Sequence, residues 1–214
     1  MKSVLIIGTG RFGKSLALKM AELGNEVMVV DKDESELRDL SEHVTSALVA
    51  DCMDENVLKS FGINNFDICF VCIGENFQSS LEITSLLKDN GAKYVVSKAD
   101  RDIHAKFLLR NGADEIIFPE KDMANRAAYR FSANHMFDYI QLSPDYAVSE
   151  IKTPEQWIGK TISHVNVRMN FNINVLAYKE DGKIHPLSNP NYIFKEHTRL
   201  IVSGAWKDVE KISK

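Results

Sequence analysis

Apolar runs of strand length recur along the first half of the chain and alternate with stretches of helical spacing. Val4–Ile7, Glu26–Asp31, Ser46–Asp51, Cys69–Ile73, Tyr94–Lys98 and Glu115–Pro119 read as six short buried strands. The stretch after Gly13 and residues 33–42, 54–61, 76–90 and 102–111 carry helical patterns, several opening on an acid or Asn and three stopping at Gly62, Gly91 and Gly112. Such alternation predicts a parallel, doubly wound α/β sheet, with ligand-facing loops at the C-terminal ends of its strands. Those ends gather Gly8 to Gly13, Asp31 and Lys32, Asp51 and Cys52, Ile73 to Asn76, Lys98 and Glu120.

Beyond Pro119 the texture changes. Asp122–Phe137 predicts a long helix with Met123, Ala127, Phe131 and Met136 on one face. This face either caps its own sheet or crosses between protomers to pair them. Ala147–Lys152, Ile173–Lys179, Ile184–Leu187 and Arg199–Ser203 read as strands, and Glu180-Asp181-Gly182-Lys183 as a hairpin turn. Short helices are expected near 161–165 and at the C-terminus. The division expected is an α/β domain over 1–136 and a small α+β domain over 137–214.

With 214 residues and 44% hydrophobic content the chain has material for two cores. Its net charge of −4 offers no basic field for nucleic acid or anionic lipid. The apolar runs are far shorter than a bilayer and a strand follows directly on Lys2 and Ser3, so neither a transmembrane helix nor a signal peptide is expected. Cys52, Cys69 and Cys72 suit a reducing cytoplasm. Cys69 and Cys72 spell C-x-x-C inside a strand, where residues three apart face opposite ways, which argues against metal or redox chemistry.

Chemistry concentrates in Gly8-Thr-Gly10-Arg11-Phe12-Gly13, which follows the first strand and opens a helix. Gly8 permits the tight turn, Gly10 removes a side chain that would block a phosphate, and Gly13 lets the helix pack closely. The unpaired N–H groups and positive dipole of that helix favour an anion. Asp31 ends the second strand, where a carboxylate accepts from both hydroxyls of a ribose and repels a 2′-phosphate; NAD(H) is thus expected over NADP. Arg11 stands where a guanidinium grips phosphates, or else pairs with a neighbouring carboxylate. Asp51 lies against adenine with the Cys52 backbone beside it, or serves as a turn or helix-capping acid. Lys98 contacts phosphate or ribose at the pocket mouth, or is simply solvated. No catalytic pairing stands at the strand ends, and His104 falls within a predicted surface helix, so a small NAD-dependent oxidoreductase is the alternative rather than the main reading.

The glycine turn G-x-G-R-F-G, the closing Ile116-Ile-Phe-Pro-Glu120-Lys-Asp122-Met and the later Asn166-Val-Arg168 together resemble the RCK-domain regulatory subunits of Trk/Ktr-type potassium uptake systems, over essentially the whole chain. The resemblance implies a non-enzymatic gating subunit that binds ATP/ADP or NAD(H) in a Rossmann-like N-domain. It implies dimers assembling into a ring, an octamer in this family, beneath a membrane potassium-translocating subunit at the inner face of the cell membrane. Arg11 then reaches the terminal phosphates of ATP. Glu120 faces those phosphates across a protomer interface with a divalent cation (Mg or Ca), unless it is only a helix-start acid. In the RCK C-domain, Arg168, Asn174 and Pro190, with Ile162 and Val175 against adenine, match positions that hold cyclic di-AMP between paired domains in related regulators. An interface without ligand is the other reading.

Overall fold

The computed structural model describes residues 1–132 and 135–213. Its chain divides into two compact units, Met1–Lys121 and the remainder from Asp122 onward. The division falls earlier than position 136, so the long helix belongs mostly to the second unit.

The first unit is built from β1 (Ser3–Ile7), α1 (Arg11–Glu22), β2 (Glu26–Asp31), β3 (Ser46–Val49), α2 (Glu55–Ser60), β4 (Ile68–Val71), α3 (Phe77–Asp89), β5 (Val95–Lys98), α4 (Asp102–Arg110) and β6 (Glu115–Ile117). The strands form one sheet in the order β3-β2-β1-β4-β5-β6, every pairing parallel. The order reverses between β1 and β4, which opens a crevice above their C-terminal ends. Period-two alternation splits the sheet between two cores. Leu5, Ile7, Val30, Cys69, Val71 and Val95 pack with Leu58, Ile83 and Leu87, whereas Val4, Ile6, Val27, Val29, Phe70, Cys72 and Val96 pack with Ala17, Leu37 and Leu40. Cys69 and Cys72 thus lie on opposite faces, one in each core.

No α-helix forms over 33–42. Asp33 accepts from Ser35 N–H at 2.9 Å and starts a single 3-10 turn, Glu34–Glu36, with i→i+3 bonds continuing to Leu40. The local carboxylate bond competes with helix propagation. Three-residue spacing still delivers Leu37 and Leu40 into the sheet.

Helix α5 (Pro119–Ser132) straddles the division. The second unit adds β7 (Met136–Ser143), β8 (Tyr146–Lys152), α6 (Ile162–Val165), α7 (Val167–Phe171), β9 (Ile173–Glu180), β10 (Lys183–Pro186), β11 (Arg199–Ala205) and α8 (Trp206–Ile212), its strands forming an antiparallel sheet ordered β10-β9-β11-β8-β7. Strand β7 occupies residues expected to end a helix. Its register slips between Met136 and Asp138, so Met136 and Tyr139 are both buried three residues apart, a spacing that imitates a helix. Met136 accordingly belongs to the second core rather than to an exposed helix face, where Met123 and Phe131 remain. The hairpin turn is as expected: Asp181 and Gly182 have φ of 49° and 77°, and Glu180 pairs with Lys183.

Candidate functional site

A cleft of about 800 Å³ opens at the β1/β4 reversal. Its walls gather the glycine turn with Arg11 and Phe12, then Asp31, Lys32, Asp51, Cys52, Ile73, Gly74, Asn76, Lys98 and Glu120. Every N-domain residue singled out from the sequence lines it except Gly13. That glycine lies beneath: a Cβ there would collide with the Gly8 carbonyl oxygen, so it sets the approach of α1 to β1. Gly8 itself has a φ of 90°, a conformation that L side chains avoid. A Cβ on Gly10, by contrast, would meet nothing within 4 Å. The space above the N-terminus of α1 is open, and that terminus has no side-chain cap.

Asp31 joins turn and strand. Its Oδ2 accepts from Thr9 N–H at 2.7 Å and from Thr9 Oγ at 3.1 Å, while Oδ1 accepts from Asp33 N–H at 3.0 Å. Asp51 accepts from Met53 N–H at 2.9 Å as a turn acid, and Asp54 caps α2 instead. Arg11 is exposed and forms no ion pair among the described residues. Lys98, with its side chain 11% exposed, donates to Glu120 at 2.9 Å and lies 3.3 Å from Asp100. Burial opposes the Lys98 charge, and the hydrogen bonds to Glu120 and Asp100 outweigh it, holding the ammonium above the ordinary lysine range. The same bond holds the Glu120 carboxyl below its ordinary range. Glu120 is thus matched by a cation in its own unit, and no cluster of three His, Cys, Asp or Glu side chains among the described residues is arranged to hold a metal.

The cleft also contains Glu75, which the strand-end reading included, and Glu36, Met53 and Ser79, which it passed over. Ser79 donates to the Met53 thioether at 3.2 Å, and Asn76 caps α3 by accepting from Ser79 N–H at 3.1 Å. The cap was legible in the sequence; the meeting of Met53 with Ser79 required the fold. Burial raises all three thiols, Cys52, Cys69 and Cys72, to about 12, and for Cys52 the Asp51 and Asp31 charges add to it. None is a thiolate nucleophile at neutral pH. His104 on α4 stacks on Phe77 at 4.0 Å.

In the second unit Arg168 Nε donates to Asn174 Oδ1 at 2.8 Å, fixing the guanidinium beside β9. The Pro190 carbonyl accepts from Ser163 N–H and Oγ at the start of α6. Ile162 and Val175 are half-buried against the core. These five residues occur on one small unit.

A Rossmann-type unit with a glycine turn at its topological switch point, followed by a small antiparallel domain, defines a two-domain class built on a dinucleotide-binding type of sheet. The TrkA-N domain family matches residues 4–119 and the TrkA-C domain family residues 147–214. Ktr system potassium uptake protein C of Bacillus subtilis is 35% identical over 213 residues, covering all of this chain and 96% of that protein. Protein A of the same system is 36% identical over 98% of this chain and 95% of its own length. The GsuK RCK domain superposes with a TM-score of 0.68 at 14% identity, over 99% of this chain and 47% of that one. A GsuK channel bound to NAD superposes equally well, at 0.68 and 15% identity, over 100% and 39%. The chain belongs to the TrkA-N/TrkA-C, or RCK, family of Ktr and Trk potassium uptake proteins.

Proposed function

We propose that this chain is the nucleotide-sensing regulatory subunit of a potassium uptake system, that its cleft takes ATP/ADP or NAD(H), and that it works without catalysing a reaction. One observation carries the reading: the 800 Å³ cleft brings an uncapped helix start, Arg11, Asp31 and Lys98 together at the switch point of the sheet. Phosphates fit the open space over Gly10, where free N–H groups and the Arg11 fork await an anion. A ribose then falls at Asp31. The NAD-bound GsuK neighbour, which shares this fold, supports a nucleotide as ligand. Ligands that favour different ring shapes shift a channel's opening by their difference in affinity, about 1–3 kcal/mol in typical coupling.

The partner is a membrane potassium-translocating subunit, at whose cytoplasmic face this chain forms dimers and a closed ring, an octamer by family likeness. No helix among the described residues is long and apolar enough to cross a membrane, which fits a peripheral subunit. Met123 and Phe131, 61% and 79% exposed on α5, are placed at the contact between protomers. A divalent cation joins Glu120 to the phosphates of bound ATP. Cyclic di-AMP is assigned to paired second units, because Arg168, held by Asn174, presents the rest of its fork to a phosphodiester.

Calorimetry with ATP, ADP, NADH and NADPH, combined with potassium uptake by the reconstituted transporter, tests the reading. Nucleotide-dependent uptake is expected. Turnover of NADH with no effect on uptake would favour the oxidoreductase.

A further inference from the structure

Thr9 lies between the first two glycines of the turn and is wholly buried. Its backbone N–H and its hydroxyl both reach one atom, Asp31 Oδ2, at 2.7 and 3.1 Å. Asp33 N–H takes the other oxygen at 3.0 Å. An ionised carboxylate offers about four acceptor positions, and here the protein itself fills three. Asp31 nevertheless faces the cleft. The expectation that it accepts from both ribose hydroxyls therefore needs an acceptor it no longer has.

We infer that Thr9 is a positioning residue for ribose recognition: by engaging Asp31 Oδ2 it leaves one acceptor on Oδ1 toward the cleft, so Asp31 takes a single ribose hydroxyl. The inference rests on the reading that a nucleotide occupies this cleft. Both donors on Oδ2 come from the turn that would hold the phosphates, so the Thr9 hydroxyl fixes the distance between phosphate cradle and ribose acceptor. With that hydroxyl gone, Asp31 keeps two of its three bonds, and its carboxylate is less firmly oriented toward the ribose. A hydroxyl that only steadied the turn would affect every nucleotide alike.

The test is calorimetry on the full chain with ADP, 2′-deoxy-ADP and 3′-deoxy-ADP, for wild type, Thr9→Val and Thr9→Ser. In wild type one deoxy analogue is expected to bind about tenfold more weakly than ADP and the other within about twofold, the scale of one charge-assisted hydrogen bond. Thr9→Val should weaken ADP severalfold and leave unchanged the analogue lacking the recognised hydroxyl. Thr9→Ser should behave as wild type. Equal weakening of both analogues, weakening of neither, or a Thr9→Val loss shared by all three ligands overturns the inference. The wild-type comparison decides even if Thr9→Val does not fold. Wild type that binds none of the three overturns this inference, and wild type that binds neither these three nor NADH overturns the nucleotide reading with it.

Discussion

Lys98 Nζ lies 2.9 Å from Glu120 Oε1, and this pair ties the end of β5 to the first turn of α5 at the rim of the cleft. A phosphate arriving there meets an ammonium already matched and a carboxylate that repels it. Glu120→Gln is therefore expected to bind ATP up to about tenfold more tightly than wild type in EDTA. Magnesium should strengthen ATP binding by wild type and do less for the variant, since the carboxylate that needs a cation beside phosphate is gone. Paired titrations with and without EDTA check both effects, and Glu120→Gln binding more weakly in EDTA would contradict them.

On the proposed reading Arg11 grips phosphates and Asp31 takes the ribose, so the two should separate by ligand. Arg11→Ala is expected to weaken ATP by about tenfold or more and AMP only slightly, because the fork reaches beyond the first phosphate. NADPH should bind at least about tenfold more weakly than NADH, and Asp31→Asn should narrow that ratio by removing the charge opposed to a 2′-phosphate. Equal NADH and NADPH affinity in wild type would remove this role for Asp31.

The two inner glycines of the turn predict opposite kinds of damage. Gly13→Ala drives a Cβ into the Gly8 carbonyl oxygen and should cost on the order of 1–3 kcal/mol, read as a lower Tm. Gly10→Ala meets no protein atom, at a φ of −57° that any residue tolerates, so its Tm should stay near wild type while nucleotide binding falls. Thermal melts beside titrations separate the two cases.

Within the second unit, Arg126 grips Asp138 with contacts of 2.7 to 3.0 Å, and that hydrogen bonding holds the Asp138 carboxyl below its ordinary range. A depressed carboxyl contributes stability above its unfolded pKa of about 3.9, and loses it as pH falls through the lower folded value. Both side chains are substantially exposed, at 46% and 38%, so solvent screening limits the pair to about 1 kcal/mol at most. Arg126→Met should melt slightly earlier at neutral pH. The gap should close below about pH 4, and a gap that widens in acid would rule the pair out as its source.

The parallel sheet and its glycine turn were legible because each strand carries a continuous apolar run and each loop lies where its strand ends. The hairpin at Asp181-Gly182 was legible for the same local reason. What failed were places where a side-chain bond, a bulge or an unusual backbone conformation overrides simple spacing. Residues 33–42 suggested a helix that the Asp33 carboxylate interrupts, and Met136 was read onto the end of the helix that carries Met123 and Phe131, whereas a bulge puts it with Tyr139 on one buried face of β7. Helix α7 went unread because its ends rest on Asn166 and Asn172 at φ of 50° and 55°, conformations that asparagine permits without announcing. In the cleft, residues on strand ends could be named from order alone. Glu36, Met53 and Ser79 reach it only through the path of the intervening chain.

The three thiols hidden in the first unit give the protein a built-in clock for its own opening. Cys69 is wholly buried on one face of β4, so a thiol reagent reaches it only when that face parts from its helices. Cys52 and Cys72 are nearly as well covered but both stand in the cleft wall, where a smaller excursion exposes them. The chain thus reports two breathing motions through one chemistry: a bound nucleotide should slow the labelling of Cys52 and Cys72 well before it changes that of Cys69.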